Sequence, residues 1–212
     1  MSLGYYETYF DTAYDCKGRF CSYWHQINEI TKLRPGKVLE IGLGNGFVFS
    51  YLRVRGIDVT NLDVDRDLRP TVVGNALKLP FVDRSFNVTA CYEVLEHLPY
   101  GDFEGALLEL ARVSRSHVLL SVPDVTRVYR LSIQFPKIGE IKQLILLPRL
   151  REYIHRFDGQ HMWEIGKAGY SLKRIQGDIE RAGLRVLETY RVFEFPYHRF
   201  FVTSKIQQGE RV

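Results

Sequence analysis

With 212 residues, 45% of them hydrophobic and 25% charged, the chain holds core material for one domain with an insertion; it is neither a disordered tail nor a membrane bundle. A formal charge of +4 permits an anionic partner without demanding one. Three cysteines, Cys16, Cys21 and Cys91, cannot all pair and suit a reducing compartment, and with no second cysteine pair or close histidine pair beside them no metal site is expected. No apolar run reaches the ~18–20 residues that span a bilayer. The first residues lack a basic end followed by an apolar stretch, so a cytoplasmic protein is expected.

In chain order, residues 5–34 read as helical, with Tyr5, Tyr6, Tyr9, Phe10 and Tyr14 at helix-like spacing, and Pro35-Gly36 stops the helix. Lys37 to Ile41 is a short apolar strand that runs into glycines. Residues 46–54 read as a helix, Ile57 to Leu62 as a second strand and Thr71 to Val73 as a third. Ser85 to Tyr92 is a fourth. Residues 102–114 place apolar side chains on one helical face, and His117 to Val122 is a fifth strand closed by Pro123. After an interruption at 126–160, Ser171 to Ala182 is a helix closed by Gly183. Leu184 to Phe195 and His198 to Ser204 are two strands joined by a tight turn, and so antiparallel. Strands alternating with helices imply a mostly parallel sheet covered on both faces.

The segment Val38 to Gly46, VLEIGLGNG, carries the most chemistry. A strand leads through Gly42, Gly44 and Gly46 into a helix, a junction where glycines let the chain turn sharply and let a ligand approach the backbone. Asp63 ends the second strand, where a carboxylate can accept from two ribose hydroxyls. A dinucleotide loop wants Gly-x-Gly-x-x-Gly, but the sixth position is Phe47. Its bulk crowds the helix start where a pyrophosphate would sit. The loop therefore fits a nucleoside without phosphates better than a nicotinamide cofactor.

Three motifs in order make the chain resemble the class I S-adenosylmethionine-dependent methyltransferases, nearest the type 11 domains: VLEIGLGNG, then NLDVD at Asn61 to Asp65, then GNALKLPFVDRSFNVTACYEVLEHL at Gly74 to Leu98. The resemblance covers roughly residues 35–125, with an echo at 161–205. It implies a Rossmann-like three-layer αβα sandwich of about seven strands, the last antiparallel. It also implies S-adenosylmethionine as cofactor. Gly42, Gly44 and Gly46 would pack against its methionine and ribose parts. Glu40 would steady the loop, Asp63 would hold the ribose diol, and Val64 would touch the adenine. Asn75, Ala76 and Leu77 would line the adenine, with position 75 bonding its amino group, and Tyr92 would offer backbone to the methionine amino group. Two departures stand out. Asn75 replaces the family's usual Asp, and only residues 64–70 join Asp63 to Thr71, too few for a crossover helix, so the third-strand edge should be trimmed.

One domain, 1–212, is expected. Its parts are an N-terminal helical lid (1–34), a cofactor-binding core (35–125), a cap insertion (126–160) and a closing helix with a strand pair (161–206). Methyl transfer from a sulfonium needs alignment and exclusion of water more than a catalytic triad. Glu93 and His97 are the candidates for a base or an orienting group, and His161 and Trp163 for substrate-side residues. Tyr5, Tyr9 and Tyr14 either close over the cofactor or pack the helix on the sheet. Cys91 follows Ala90 inside a strand and should be buried filler, and Cys91-Tyr92-Glu93-Val94 lacks the prolines of enzymes that methylate exocyclic amines of bases. Nucleic acid is thereby disfavoured, and a small-molecule acceptor with an O, N or C nucleophile is expected. The alternatives are an RNA or protein methyltransferase and a non-catalytic binding module. The segment 126–156 holds Arg127, Arg130, Lys137, Lys142, Arg149, Arg151 and Arg156 against Glu140 and Glu152, so the surplus positive charge is local. Interleaved apolar residues make it a lid or helical hairpin, a contact for an anionic membrane and a lipid-like substrate, or a contact for RNA.

Overall fold

The computed structural model describes residue 9 and residues 14–137, 139–147, 153–157 and 159–206. In chain order the elements are α1 (Lys17–Lys32), β1 (Lys37–Ile41), α2 (Phe47–Val54), β2 (Asp58–Asp63), β3 (Val72–Val73), β4 (Phe86–Tyr92), α3 (Phe103–Val113), β5 (Ser114–Pro123), β6 (Val128–Phe135), β7 (Gly139–Leu146), α4 (Leu172–Arg181), β8 (Leu184–Arg191) and β9 (His198–Lys205). Seven strands form one sheet in the order β3-β2-β1-β4-β5-β9-β8. The pairs among β1 to β5 are parallel. β9 runs antiparallel to both of its neighbours, β5 and β8.

The period-2 alternation of β1 explains the layers. Leu39 and Ile41 point to one face, into a core built with Leu107 and Leu110 of α3 and Ile175 and Ile179 of α4. Val38 points to the other face, into a core with Tyr23, Ile27 and Ile30 of α1 and Val48 and Leu52 of α2. Each aliphatic side chain withdrawn from water contributes roughly 1.5–3 kcal/mol, and both faces of the central strands are filled this way. Cys91 is fully buried in the first core, the filler its position implied. Trp163 lies in that core too. It is fully buried and packs edge-on against Phe103 with ring centroids 5.0 Å apart, so it is a core residue and not a substrate-side one.

The trimmed edge is present. The only helical structure between β2 and β3 is a single 3₁₀ turn, Arg66–Leu68, capped by the Asp65 carboxylate. β3 has two residues. The cap differs from the expected helical hairpin. Among its described residues it is a two-stranded antiparallel ribbon, β6 with β7. Register puts Tyr129, Leu131, Ile133 and Phe135 on one face with Ile141 and Ile145, all of them exposed. The opposite face carries Arg130 and Lys142, which reach Glu194: Arg130 donates to its carbonyl at 3.1 Å and Lys142 to its carboxylate at 2.8 Å. Period 2 in the apolar residues, not the basic count, decided this segment. Arg149 and Arg151 lie outside the described residues.

Candidate active site

β1, β2 and β4 end at the same edge, because Ile41 pairs with Leu62 and with Cys91. In open α/β sheets that carboxyl edge is where ligands sit. Gly42, Gly44 and Gly46 turn the chain there with φ of 84°, 53° and 71°, the left-handed region that a side chain resists. A Cβ on Gly42 would collide with Cγ2 of Val94, so the loop lies directly against the segment after β4. Asp63 ties the loop to β2. Its Oδ2 accepts from the Leu43 amide at 2.7 Å, and its Oδ1 from the Asp65 amide at 3.0 Å. Each oxygen keeps a further lone pair for a ligand.

Two adjoining hollows open from this edge. One, of about 260 Å³, is lined by Gly42, Asp63, Val64, Asn75, Ala76, Glu93 and His97, among others. The other, of about 60 Å³, is lined by Glu40, Gly42, Gly44, Tyr92 and Glu93 together with Arg19, Tyr14 and Gln26 from the N-terminal side. Tyr9 lines both. A larger hollow of about 730 Å³ lies at the opposite end of the sheet, among Arg84, Arg112 and Lys205, away from the carboxyl edge.

The expected cofactor residues thus converge, with two exceptions. Gly46 caps the start of α2 beside the loop, and Leu77 turns against the core while its amide donates to Asn75 Oδ1 at 2.9 Å. Tyr9 and Tyr14 stand on the cavity wall, and Tyr5 lies outside the described residues. Arg19, Gln26 and Tyr23 were missed. The one available signal was a lone Arg inside an aromatic helix. Arg19 donates through Nε to the Tyr14 carbonyl at 3.0 Å and lies over the Tyr14 ring.

Charge is unevenly settled here. Glu40 is almost fully buried, and its Oε2 has no partner among the described residues. Burial, with Asp63 nearby, pushes its carboxyl up to about 8. Glu93 follows β4 with φ 54°, strained for a residue with a side chain, and its amide donates to Ser121 O at 2.9 Å. Burial pushes its carboxyl up to about 7. Its Oε2 lies 3.4 Å from Nε2 of His198, whose imidazole burial lowers to about 3 and so keeps neutral. Leu95–His97 form a 3₁₀ turn that buries Glu96 completely. His97 projects from the same turn into the 260 Å³ hollow beside Asp63. His161 approaches from beyond the ribbon, its ring 5.2 Å from that of His97. Tyr197, just before β9, donates to Glu164 at 2.5 Å and lies 3.0 Å from His161 Nδ1. The His161 contact holds Glu164 below the usual carboxylate range.

This edge, with a glycine loop and an acid at the end of β2, is that of a nucleoside-cofactor enzyme. Residues 39–122 match the family model described as a methyltransferase domain. The chain is 25% identical to the ubiquinone biosynthesis O-methyltransferase of Vibrio atlanticus strain LGP32, over 84% of this chain and 88% of that protein. Among solved structures it is similar to the 1,6-didemethyltoxoflavin-N1-methyltransferase of Burkholderia thailandensis, determined with 1,6-didemethyltoxoflavin and S-adenosylhomocysteine. The TM-score is 0.63 at 14% identity, covering 96% of this chain and 84% of that one. It is also similar to the glycopeptide N-methyltransferase MtfA with S-adenosylmethionine bound. There the TM-score is 0.57 at 13% identity, covering 86% and 93%. Residues 39–122 are a methyltransferase domain, set in the fold of the S-adenosylmethionine-dependent class I methyltransferases. No described helix is long and apolar enough to cross a membrane.

Proposed function

We propose that the chain methylates a nucleophilic oxygen, nitrogen or carbon of a small molecule, with an oxygen acceptor favoured by the O-methyltransferase relative. When bound, S-adenosylmethionine supplies an electrophilic methyl group on a sulfonium. The observation that carries the proposal is the orphaned Glu40 oxygen beside the glycine loop. A buried acceptor without a donor is costly, and the ammonium of the cofactor's methionine part is a donor of the right charge.

The other roles follow from placement. Arg19 faces the same hollow and would balance the methionine carboxylate. Gly42 and Gly44 let the ligand lie against backbone, and Tyr92 presents its own backbone at the end of β4. Asp63 would accept from the ribose hydroxyls. Val64, Asn75 and Ala76 would flank the adenine, with Asn75 Oδ1 accepting from its amino group. Tyr9 and Tyr14 would close over the cofactor and exclude water. Glu93 and His97 stand where the hollow continues past the loop and would orient the acceptor.

Calorimetry tests the site. Asp63→Ala should lower S-adenosylmethionine affinity by about tenfold to a hundredfold, as for loss of a charge-assisted hydrogen bond, while the variant stays folded. Undiminished affinity would overturn the assignment. The apolar face of the ribbon favours one further element, contact with an anionic membrane that delivers a lipid-like acceptor. Apolar side chains line its outer face, while Arg130 and Lys142 turn inward to Glu194. Co-sedimentation with anionic vesicles at low salt is the expected result, and its absence would remove the membrane.

A further inference from the structure

The amino edge of the sheet carries a hollow that methyl transfer leaves unused. Its volume of about 730 Å³ is that of a small-molecule site. β4, β5 and β8 start at this edge and β9 ends there, since Phe86 pairs with Ser114 and Leu184 with Lys205. The seven residues of β4 separate it from the glycine loop by about 20 Å. Arg84, Arg112, Arg115, Arg185 and Lys205 line it, and Asp83 is the one acid among its described lining residues.

Backbone contacts hold these cations where they are. Arg84 sits in the turn before β4 with φ 57°, a left-handed conformation that a side chain resists and that recurs at ligand clamps. The junction of α3 and β5 grips it twice. Its amide donates to the Arg112 carbonyl at 2.9 Å, and its carbonyl accepts from Arg115 Nε at 2.6 Å. Lys205 Nζ donates to the Ser114 carbonyl at 2.9 Å, which fixes it at the start of β5. Arg112 is already neutralised, by Asp83 at 2.8 Å and Glu109 at 2.6 Å. That pairing occupies Asp83, and Arg84, Arg115 and Lys205 form no ion pair among the described residues. Like charges are therefore crowded together. Burial, with Arg84 nearby, holds the Lys205 ammonium below the usual lysine range.

We propose that this hollow binds a small anion carrying two or three linked phosphate groups. Three cations without ion-pair partners on one concave surface call for several negative charges on one molecule, and guanidinium forks match the geometry of phosphate oxygens. The apolar lining amounts to Ala111, Ala182 and Ile206, and His117 is the one ring among the described lining residues. The phosphates are therefore what the site reads, whether they come free or attached to a nucleoside. Binding relieves the crowding and ties the start of β5 to the end of β9, so it stabilises the folded chain without reaching the carboxyl edge.

Calorimetric titration of the full chain with inorganic tripolyphosphate at low ionic strength, where charges are least screened, tests the site. One anion per chain is expected, with a rise in melting temperature. Arg84→Gln and Arg115→Gln change exposed side chains, and each should weaken binding about tenfold, as for one charge-assisted hydrogen bond. Lys173→Gln removes the same charge from the first turn of α4, at the far end of that helix from the hollow, and should leave the affinity within about twofold. Adenosine triphosphate should bind within about threefold of tripolyphosphate, because a base finds little to stack on. S-adenosylmethionine affinity should be the same with and without saturating tripolyphosphate. No saturable heat, or a loss in Lys173→Gln as large as in the arginine variants, overturns the site. Competition with S-adenosylmethionine overturns it too, by moving the anion to the carboxyl edge. Adenosine triphosphate binding more than about tenfold tighter overturns a site that reads phosphate alone.

Discussion

On the donor side of the site, one continuous stretch from Glu40 to Gly46 makes the wall, and its working parts are mostly backbone bent at three left-handed glycines. On the other side, Glu93, Glu96 and His97 meet His161, Glu164 and Tyr197 from distant parts of the chain, and the working parts are side chains, with Glu96 and Glu164 buried among them. Backbone against a ligand reads any molecule of the right outline. Side chains buried in charged clusters are tuned to one chemistry. On the proposed function, the cofactor half could be shared among enzymes with different substrates, while the other half would set what is methylated.

The sharpest way to break that contrast is Gly42→Ala. The added methyl meets Val94 at a φ of 84°, so stability should fall by about 1–3 kcal/mol, read from the denaturant midpoint at constant m value. An unchanged midpoint would mean the loop is softer than its geometry implies. Tyr197→Phe probes the other wall. Turnover should drop about tenfold or more, while S-adenosylmethionine affinity stays within about twofold. A parallel loss of affinity would dissolve the division between the halves.

Glu40→Gln tests burial. Glu40 titrates near 8 in the folded chain against an ordinary 4.5. Between those values the folded chain holds a proton that the unfolded chain releases, so this group's contribution is fullest at low pH and is lost as pH rises toward 8. The variant should therefore be more stable than the unaltered chain at pH 8.5, by on the order of 1 kcal/mol, and no more stable at pH 4.5. Parallel melting-temperature curves across that range would reject the shift. The smallest effect is expected at the ribbon. Tyr129→Ser with Ile145→Ser should change stability by less than about 0.5 kcal/mol, because both side chains are exposed, yet should weaken vesicle binding.

The same division decided what could be read from the chain. β1, the glycine loop, α2 and Asp63 were legible nearly to the residue, because a strand-turn-helix is specified by neighbours in sequence. The short β2-to-β3 connection was legible by length alone. Glu93 and His97 were legible as candidates, but not the fully buried Glu96 between them, since exposure is a property of the packed molecule. Glu164 and Tyr197 carried no local signal at all. Trp163 went the wrong way for a related reason, since an aromatic beside a functional histidine can equally be the plug of the core.

The reversed direction of β9 has a consequence in time. β1, β2 and β4 end at the site, but β9 starts there: His198 pairs with Pro123, and the Tyr197 carbonyl accepts from the Asp124 amide at 2.7 Å. During synthesis the cofactor loop and its acid emerge early, while Tyr197 and His198 arrive only after the strands from β1 to β8. On the proposed function, the parts that would hold the methyl donor are therefore made first, and those that would choose the acceptor are made with the last strand of the sheet.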